Sequence, residues 1–175
     1  MVYLYATMTN SEHYLKGGKR LDPELDNSYL RGKVVVMDEE FFLRFALDFK
    51  NVRIVTIGKN DLSNHFDVES YKDVNSVIES FRILNKEKDL YFMGNPEFLK
   101  QVVPYAGGIV VNIVDDYVEN IDNIYFPNFD SHNFKTIKKS RVSSQIHPNI
   151  LRVTSLRVFP YGYKDKIPKK RQRKK

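Results

Sequence analysis

A chain of 175 residues is long enough for one domain with a substantial core and too short for two ordinary domains. Apolar residues make up 42% of the chain, which is typical of a globular protein, and no apolar run approaches the roughly 20 residues that span a bilayer. Cysteine is absent, which excludes disulfides, thiolate catalysis and cysteine-type zinc sites, so a cytoplasmic protein without membrane contact is the simplest interpretation.

The positive charge of the chain is concentrated at its end. Of the 28 Lys and Arg residues, seven fall within the last ten residues, which carry no acid, so the remainder holds 21 basic and 22 acidic residues. Because like charges resist packing, we predict a folded domain at residues 1–162 and a disordered basic tail at 163–175. The tail is either a solvated, solubilising terminus or a contact for nucleic acid or an acidic partner. Its candidate contact residues are Lys169, Lys170, Arg171, Arg173, Lys174 and Lys175.

Strand and helix patterns alternate through the first two-thirds of the chain. Pro23 and Pro96 suit the first positions of their helices, and Asn95 is a suitable N-cap for the second of these. In chain order, the sequence predicts a strand at 2–8, a polar loop at 9–21, a helix at 22–30, a strand at 33–37, a helix at 38–47, strands at 52–57 and 65–70, a helix at 73–84, a strand at 89–93, a helix at 96–103 and a strand at 109–115.

The last third predicts β structure only. Two long strands at 133–144 and 149–159 are joined through His147-Pro148, and such a short connection makes them antiparallel. The whole pattern indicates an α/β fold with a central, mostly parallel sheet, an antiparallel C-terminal strand and helices on both faces. In such sheets ligands bind beyond the carboxyl ends of the strands.

Simple catalytic and metal motifs are not evident. The four histidines, at 13, 65, 132 and 147, lack metal-ligand spacing, so we predict surface or turn positions for them and no metal site. Asp115-Asp116 is either a turn at a strand end or a pair of carboxylates for acid–base work.

The order of these segments resembles the dihydrofolate reductase family. The likeness rests on a first strand that contains Ala6, on "KVVVM" and "NVRIVTI", and above all on residues 89–130, where "VVPYAGGIVV" and "IYFPNFD" stand in the places of family motifs. It covers roughly residues 1–160 and implies a dihydrofolate reductase-like fold. It also implies hydride transfer from NADPH to dihydrofolate.

The resemblance assigns roles to particular residues. Counting back from "VVVM" places the catalytic carboxylate of the family at Asp22, with Glu24 and Asp26 as nearby alternatives and a helix cap as the other interpretation of Asp22. Asn112 replaces the threonine that supports this carboxylate, and it can still hydrogen-bond. The resemblance places cofactor contacts at Ala6, Thr56, Lys59, Gly94 and Asn95, and substrate contacts at Lys50 and Arg53.

The chain also departs from the family pattern at the cofactor phosphates. Met37-Asp38-Glu39 stands where the family has Met-Gly-Arg, and two acids repel a phosphate. The glycine pair that the family joins by a cis peptide has become Gly94-Asn95. We therefore expect either a retained cis bond at this elbow or a relaxed trans bond, and the trans bond would count against a working nucleotide site.

Two hypotheses follow from this combination of family-like segments and departures from the family pattern. The first is an NADPH-dependent reductase, which requires the elbow at 94–95 to face Asp22 across an open cleft. The second is a catalytically impaired relative, a pseudoenzyme that keeps the fold and acts as a binding or structural module, with its basic tail contacting nucleic acid or an acidic partner.

Overall fold

The computed structural model describes residues 1–84, 88–116, 125–127 and 133–158. The predicted basic tail at 163–175, with its six candidate contact residues, and the last residues of the predicted domain lie outside the described residues. Among the described residues, no helix is both long and apolar enough to cross a bilayer.

The described residues form ten strands and four helices. The strands are β1 (Val2–Thr9), β2 (Leu15–Lys16), β3 (Lys19–Arg20), β4 (Val34–Asp38), β5 (Arg53–Ile57), β6 (Glu69–Tyr71), β7 (Leu90–Met93), β8 (Gly108–Val114), β9 (Phe134–Val142) and β10 (Ile150–Arg157). The helices are α1 (Pro23–Leu30), α2 (Glu39–Phe45), α3 (Val74–Leu84) and α4 (Pro96–Val102).

Eight strands make one central sheet in the order β6-β5-β4-β7-β1-β8-β10-β9. Every neighbouring pair is parallel except those of β10, which runs antiparallel to both β8 and β9. This confirms the predicted mostly parallel sheet and its antiparallel C-terminal strand. Two details differ: the predicted loop at 9–21 contains the β2–β3 hairpin, and the strand predicted at 65–70 begins later, at Glu69.

Helices cover both faces of the sheet, as two successive residues of β7 show. Side chains of neighbouring strand residues point to opposite faces. Tyr91 meets Tyr29 of α1 edge-on at a ring-centroid distance of 5.8 Å, whereas Phe92 lies 6.1 Å from Phe98 of α4. Helices α1 and α4 therefore lie on opposite sides, and the predicted arrangement is confirmed.

Local signals explain where the helices begin. Asp22 and Asp38 cap α1 and α2 by accepting hydrogen bonds from backbone amides three residues on, and Pro23 and Pro96 take the first helical positions of α1 and α4. Asn95 occupies the N-cap position of α4, as predicted, but its side chain makes no cap hydrogen bond. That side chain is engaged elsewhere, in the candidate site.

Candidate functional site

A small cavity lies where β1 and β7 approach their carboxyl ends beneath α1. Its volume is about 20 Å³, measured as the space open to the centre of a water-sized sphere. One water molecule needs about 10–15 Å³ by that measure, so the cavity has room for about one water and none for a bicyclic ring. It is lined by Tyr5, Ala6, Thr7, Tyr14, Arg20, Leu21, Asp26, Phe41, Met93, Gly94 and Leu99.

The carboxylate in this cavity belongs to Asp26, which is one of the alternatives named from the sequence. Its Oδ1 accepts hydrogen bonds from the Tyr5 hydroxyl at 2.9 Å and the Thr7 hydroxyl at 2.5 Å. Its Oδ2 accepts one from Arg20 at 2.6 Å, and both side chains of this ion pair are 3% exposed. Asp26 is therefore charge-neutralised and hydrogen-bonded by its own protein.

Asn112 supports the two hydroxyls that face Asp26. Its Nδ2 donates to the Tyr5 hydroxyl at 2.7 Å and to the Thr7 hydroxyl at 3.1 Å, and its Oδ1 accepts from Arg152 Nε at 2.7 Å. Burial, followed by the charge of Asp26, raises the pKa of Tyr5 well above its ordinary value, so the phenol remains a donor. The structure thus places Asn112 behind a carboxylate, but this carboxylate is Asp26 and not Asp22.

Arg20 completes the wall of the cavity in an unusual way. Its guanidinium lies 4.0 Å from the centroid of the Phe49 ring, an attractive cation–π contact. Its Nε and NH1 are buried and have no hydrogen-bond partner among the described residues. The single ion pair with Asp26 is therefore the main electrostatic compensation for burying this cation.

Aromatic rings close the cavity on the side of the elbow. Tyr14 is 7% exposed, and its hydroxyl donates to the carbonyl oxygen of Gly94 at 2.8 Å. Burial and the nearby charge of Asp38 raise the pKa of Tyr14, which keeps the phenol neutral. Tyr5 and Phe41 are also in the wall, so three aromatic rings line this small cavity.

The elbow itself is held by the carboxylate of Asp38. Asn95 donates from its backbone nitrogen to Oδ1 at 3.0 Å and from its side-chain Nδ2 to Oδ2 at 2.9 Å. Gly94 has φ of 150°, and a Cβ at this position would overlap Asp38 Oδ1, so glycine is required for the close approach. The described residues contain no cis peptide bond, so the relaxed trans elbow is the alternative observed.

The same carboxylate also caps α2. The backbone nitrogen of Phe41 donates to Asp38 Oδ2 at 3.3 Å. Burial raises the pKa of Asp38, and the hydrogen bonds from the amides of Asn95 and Phe41 oppose that rise. The side chain therefore ties the start of α2 to the elbow that follows β7.

A second carboxylate, that of Glu39, occupies the turn after β5. Asn60 donates to it twice, from its backbone nitrogen at 3.3 Å and from Nδ2 at 2.6 Å. A Cβ at Gly58 would overlap Glu39 Oε2, so this glycine also admits a carboxylate. Of the predicted cofactor residues nearby, Lys59 is exposed, whereas Thr56 is buried and hydrogen-bonds the Ser70 hydroxyl at 2.9 Å.

These observations test whether the residues fit NADPH, the cofactor that the fold resemblance implies. Its phosphates are anionic and need donors or cations. At the elbow and at the turn after β5, the donors are already taken by Asp38 and Glu39, whose charges repel a phosphate. The residues present do not fit the cofactor. No group of three or more His, Asp or Glu side chains in the described part of the chain is arranged to hold a metal ion.

Asp22, the carboxylate selected by counting, does not line the cavity. It is fully buried, caps α1 at the Leu25 nitrogen at 3.0 Å, and accepts a hydrogen bond from the Ser144 hydroxyl at 2.5 Å. Its Oδ2 also lies 2.9 Å from His147 Nδ1. Asp22 therefore acts as the cap of α1, which was the other interpretation of this residue.

His147 joins two carboxylates that are distant in sequence. Its Nε2 lies 3.0 Å from Asp116 Oδ2, and Asp116 Oδ1 accepts from Lys16 Nζ at 2.8 Å. Burial opposes the positive charge of the ring, but hydrogen bonds and charges of Asp22 and Asp116 outweigh it and raise the pKa of His147. The sequence placed this histidine in a surface or turn position: it does lie between β9 and β10, but it is 6% exposed.

The two predicted substrate contacts also lie away from the cavity. Lys50 is exposed beyond α2, and its backbone nitrogen donates to Asn27 Oδ1 at 3.3 Å. Arg53 donates from Nε to Glu69 at 2.8 Å, and its guanidinium lies 5.1 Å from the Phe81 ring centroid. Of the nine site residues predicted within the described part of the chain, only Ala6 and Gly94 line the cavity.

The strand order, with helices on both faces of the sheet, is that of the dihydrofolate reductase-like fold class. In a comparison with solved structures, the chain is similar to dihydrofolate reductase from Enterococcus faecalis, in a complex with NADP(H) and RAB-propyl, with a TM-score of 0.74 and 13% identity. The match covers 91% of this chain and 97% of that one. It confirms, for the fold, the resemblance drawn from segment order. No protein-family model and no curated protein matches the sequence.

Proposed function

We propose that this chain is a catalytically impaired dihydrofolate reductase-fold protein, which acts as a binding module for a polyanion instead of reducing dihydrofolate with NADPH. The carrying observation is that the Asp38 carboxylate holds both nitrogen atoms of Asn95 at the elbow. The similar dihydrofolate reductase from Enterococcus faecalis is in a complex with NADP(H), and its fold is shared here at 13% identity. In this chain the elbow and the turn after β5 present the carboxylates of Asp38 and Glu39.

Electrostatic repulsion disfavours binding of the cofactor phosphates. A phosphate near Asp38 and Glu39 would meet two carboxylates in place of donors, and it would have to displace hydrogen bonds that these carboxylates already accept. Two like charges 4 Å apart repel by about 4 kcal/mol at an effective dielectric constant of 20. A repulsion of that size outweighs the contribution of an ordinary hydrogen bond to binding.

The size of the cavity and the hydrogen bonds of its carboxylate disfavour binding of the substrate. A cavity of about 20 Å³ excludes a pterin ring. The carboxylate that faces it, on Asp26, is paired with Arg20 and bonded to two hydroxyls, so three of its roughly four acceptor positions are already taken. Among the described residues, these contacts support the impaired form over a working reductase.

The binding role rests on charge. The last ten residues carry seven Lys or Arg and no acid, and cationic segments bind phosphate backbones by releasing their counterions. This role uses the fold as a scaffold and needs no open cleft.

A titration separates the impaired protein from a working reductase. If NADPH bound with a Kd of 1 μM, 1 mM of it would stabilise the protein by about 4 kcal/mol, which raises the melting temperature by about 10 °C. We expect no shift with NADPH at 1 mM, with or without dihydrofolate, and no loss of absorbance at the NADPH wavelength. A saturable shift, or turnover that disappears in Asp26→Asn, would overturn the proposal.

The binding role has its own measurement. The full chain should bind a fluorescent 30-nucleotide single strand with an affinity that falls steeply with salt, and a chain ending at residue 165 should bind more weakly with a smaller salt slope. Unchanged affinity after this deletion would remove the tail from the proposal.

A further inference from the structure

Charge in this protein is divided between two parts of the chain. Residues 133–175 hold 14 of the 28 Lys and Arg residues and one of the 22 acids, so residues 1–132 hold 14 basic and 21 acidic residues. The described portion of the basic part is the β9–β10 pair and its connection, at 133–158. Strand β9 lies at the end of the sheet, so this edge carries the positive charge.

Strand β9 displays four cations. Lys135, Lys138, Lys139 and Arg141 are exposed, and none of them makes an ion pair with a residue that the structure describes. No Asp or Glu occurs between 133 and 158, so no carboxylate on either strand neutralises them. These four side chains form a cationic strip, and no carboxylate on β9 or β10 pairs with them.

A bulge in the β9–β10 pair sets how the cations are distributed. The register shifts between Thr154 and Ser155, so that Lys138 pairs with Thr154 and Lys135 pairs with Leu156. Partners two residues apart on β10 share a face, so Lys135 and Lys138 point to one face of the sheet although they are three residues apart.

The other two cations point to the opposite face. Lys139 pairs with Val153 and Arg141 pairs with Leu151, again two residues apart on β10. Each face of the edge therefore carries two cations, and long Lys and Arg side chains on both faces reach beyond the outer strand.

The described part of the chain ends beside this strip. The backbone nitrogen of Val158, the last described residue, donates to the carbonyl oxygen of Asn133 at 2.7 Å, next to the start of β9. The remaining chain, 159–175, holds eight Lys or Arg and one acid. The strip therefore lies close to Val158, after which the basic sequence follows.

We propose that the exposed edge of β9, through Lys135, Lys138, Lys139 and Arg141, is a docking surface for the phosphate backbone of a nucleic acid. This inference rests on the proposed binding role and adds a rigid surface to it. The recognition chemistry is the electrostatic attraction between these four cations and phosphates, which does not depend on base sequence. The competing explanation is that edge lysines only prevent sheets from pairing edge to edge.

The test uses the full chain and a matched pair of variants. K135Q/K138Q/K139Q/R141Q removes the strip, and K19Q/R31Q/K72Q/K88Q removes three lysines and one arginine that are exposed elsewhere. Binding of a 30-nucleotide single strand is measured from 50 to 300 mM salt, with polyglutamate as a second probe and size-exclusion chromatography as a check on association.

We expect the β9 variant to lower the magnitude of the salt slope by about 3, since each phosphate contact on a single strand contributes about 0.7. The control variant should lower it by much less. Equal losses in the two variants, a preference for polyglutamate, or self-association of the β9 variant with unchanged DNA binding would each overturn the docking surface. If the full chain binds but only tail deletion weakens it, this inference fails alone; if the full chain does not bind, the proposed binding role fails as well.

Discussion

Asp38 and Asn95 are 57 residues apart in sequence. In the fold, the carboxylate of Asp38 accepts hydrogen bonds from both the backbone and the side-chain nitrogen of Asn95. The same carboxylate accepts the amide of Phe41, so it joins the start of α2 to the elbow before α4. The elbow of this fold is therefore stabilised from within, by the side chain of Asp38.

Replacing Asp38 should destabilise the folded protein. Asp38→Ala removes the cap of α2 and leaves the amide of Asn95, which is partly buried, without its acceptor. A lost cap costs about 1 kcal/mol and an unsatisfied buried donor about 1–3 kcal/mol, so we expect the free energy of unfolding to fall by about 2–3 kcal/mol. Urea denaturation followed by circular dichroism measures this change.

Glu40→Ala is the matched control for Asp38→Ala, because Glu40 is an exposed acid in the first turn of the same helix. We expect its effect to stay within about 0.5 kcal/mol. If both variants have equal stability, the Asp38 contacts do not hold the elbow, and the electrostatic argument against a cofactor phosphate loses its structural basis.

The buried pair of Arg20 and Asp26 should show strong coupling. Removing one partner leaves a buried charge uncompensated, so Arg20→Met or Asp26→Leu alone should cost about 3–5 kcal/mol. The double variant should cost less than the sum of the two, because no orphaned charge remains. Denaturation of the four proteins gives the coupling energy, and strictly additive losses would contradict an ion pair that neutralises the cavity.

The fold was predictable from sequence because its signals are local. Four β-branched or apolar residues in "VVVM" are all buried in β4, and Pro96 after Asn95 marked the start of α4 within one residue. The β2–β3 hairpin was missed, since its strands have two residues each and no apolar alternation extends over such a length.

The site was less predictable because it depends on side-chain direction. Counting along a loop of changed length selected Asp22, which lies before the first turn of α1, whereas Asp26 lies one turn later on the buried side with Leu30. A signal was present: an acid four residues before a buried leucine lies on the apolar stripe of a helix. The contacts of His147 had no such signal, since Asp22 and Asp116 are 125 and 31 residues away.

Tyr14 should contribute to stability through its hydroxyl. Tyr14→Phe keeps the ring in the cavity wall but leaves the buried carbonyl of Gly94 without this donor, so the expected loss is about 1–2 kcal/mol. Tyr125→Phe is the control, because Tyr125 is 41% exposed. Equal melting temperatures for Tyr14→Phe and the unmodified protein would show that Tyr14 does not anchor the elbow.

The His147 cluster predicts a pH dependence with a defined sign. Asp22 and Asp116 face the ring, Lys16 faces Asp116, and together they raise the pKa of His147 in the folded protein against the opposing effect of burial. Because the folded pKa lies above the ordinary value of about 6.5, the stability that protonated His147 contributes is fully present below that value. It is lost as the pH rises through the folded pKa, so the free energy of unfolding should fall over this range.

His147→Gln tests the sign directly, because glutamine does not titrate. We expect this variant to lose more stability at pH 6 than at pH 9, and its unfolding free energy to vary less with pH than that of the unmodified chain. Urea unfolding at half-unit steps from pH 6 to 9 measures the unfolding free energy of both proteins against pH. The control is His65→Gln, which alters an exposed histidine and should reproduce the pH curve of the unmodified chain. A greater loss at pH 9 than at pH 6 would mean that the neutral ring is the stabilising form, and that Asp22 and Asp116 do not hold a cation between them.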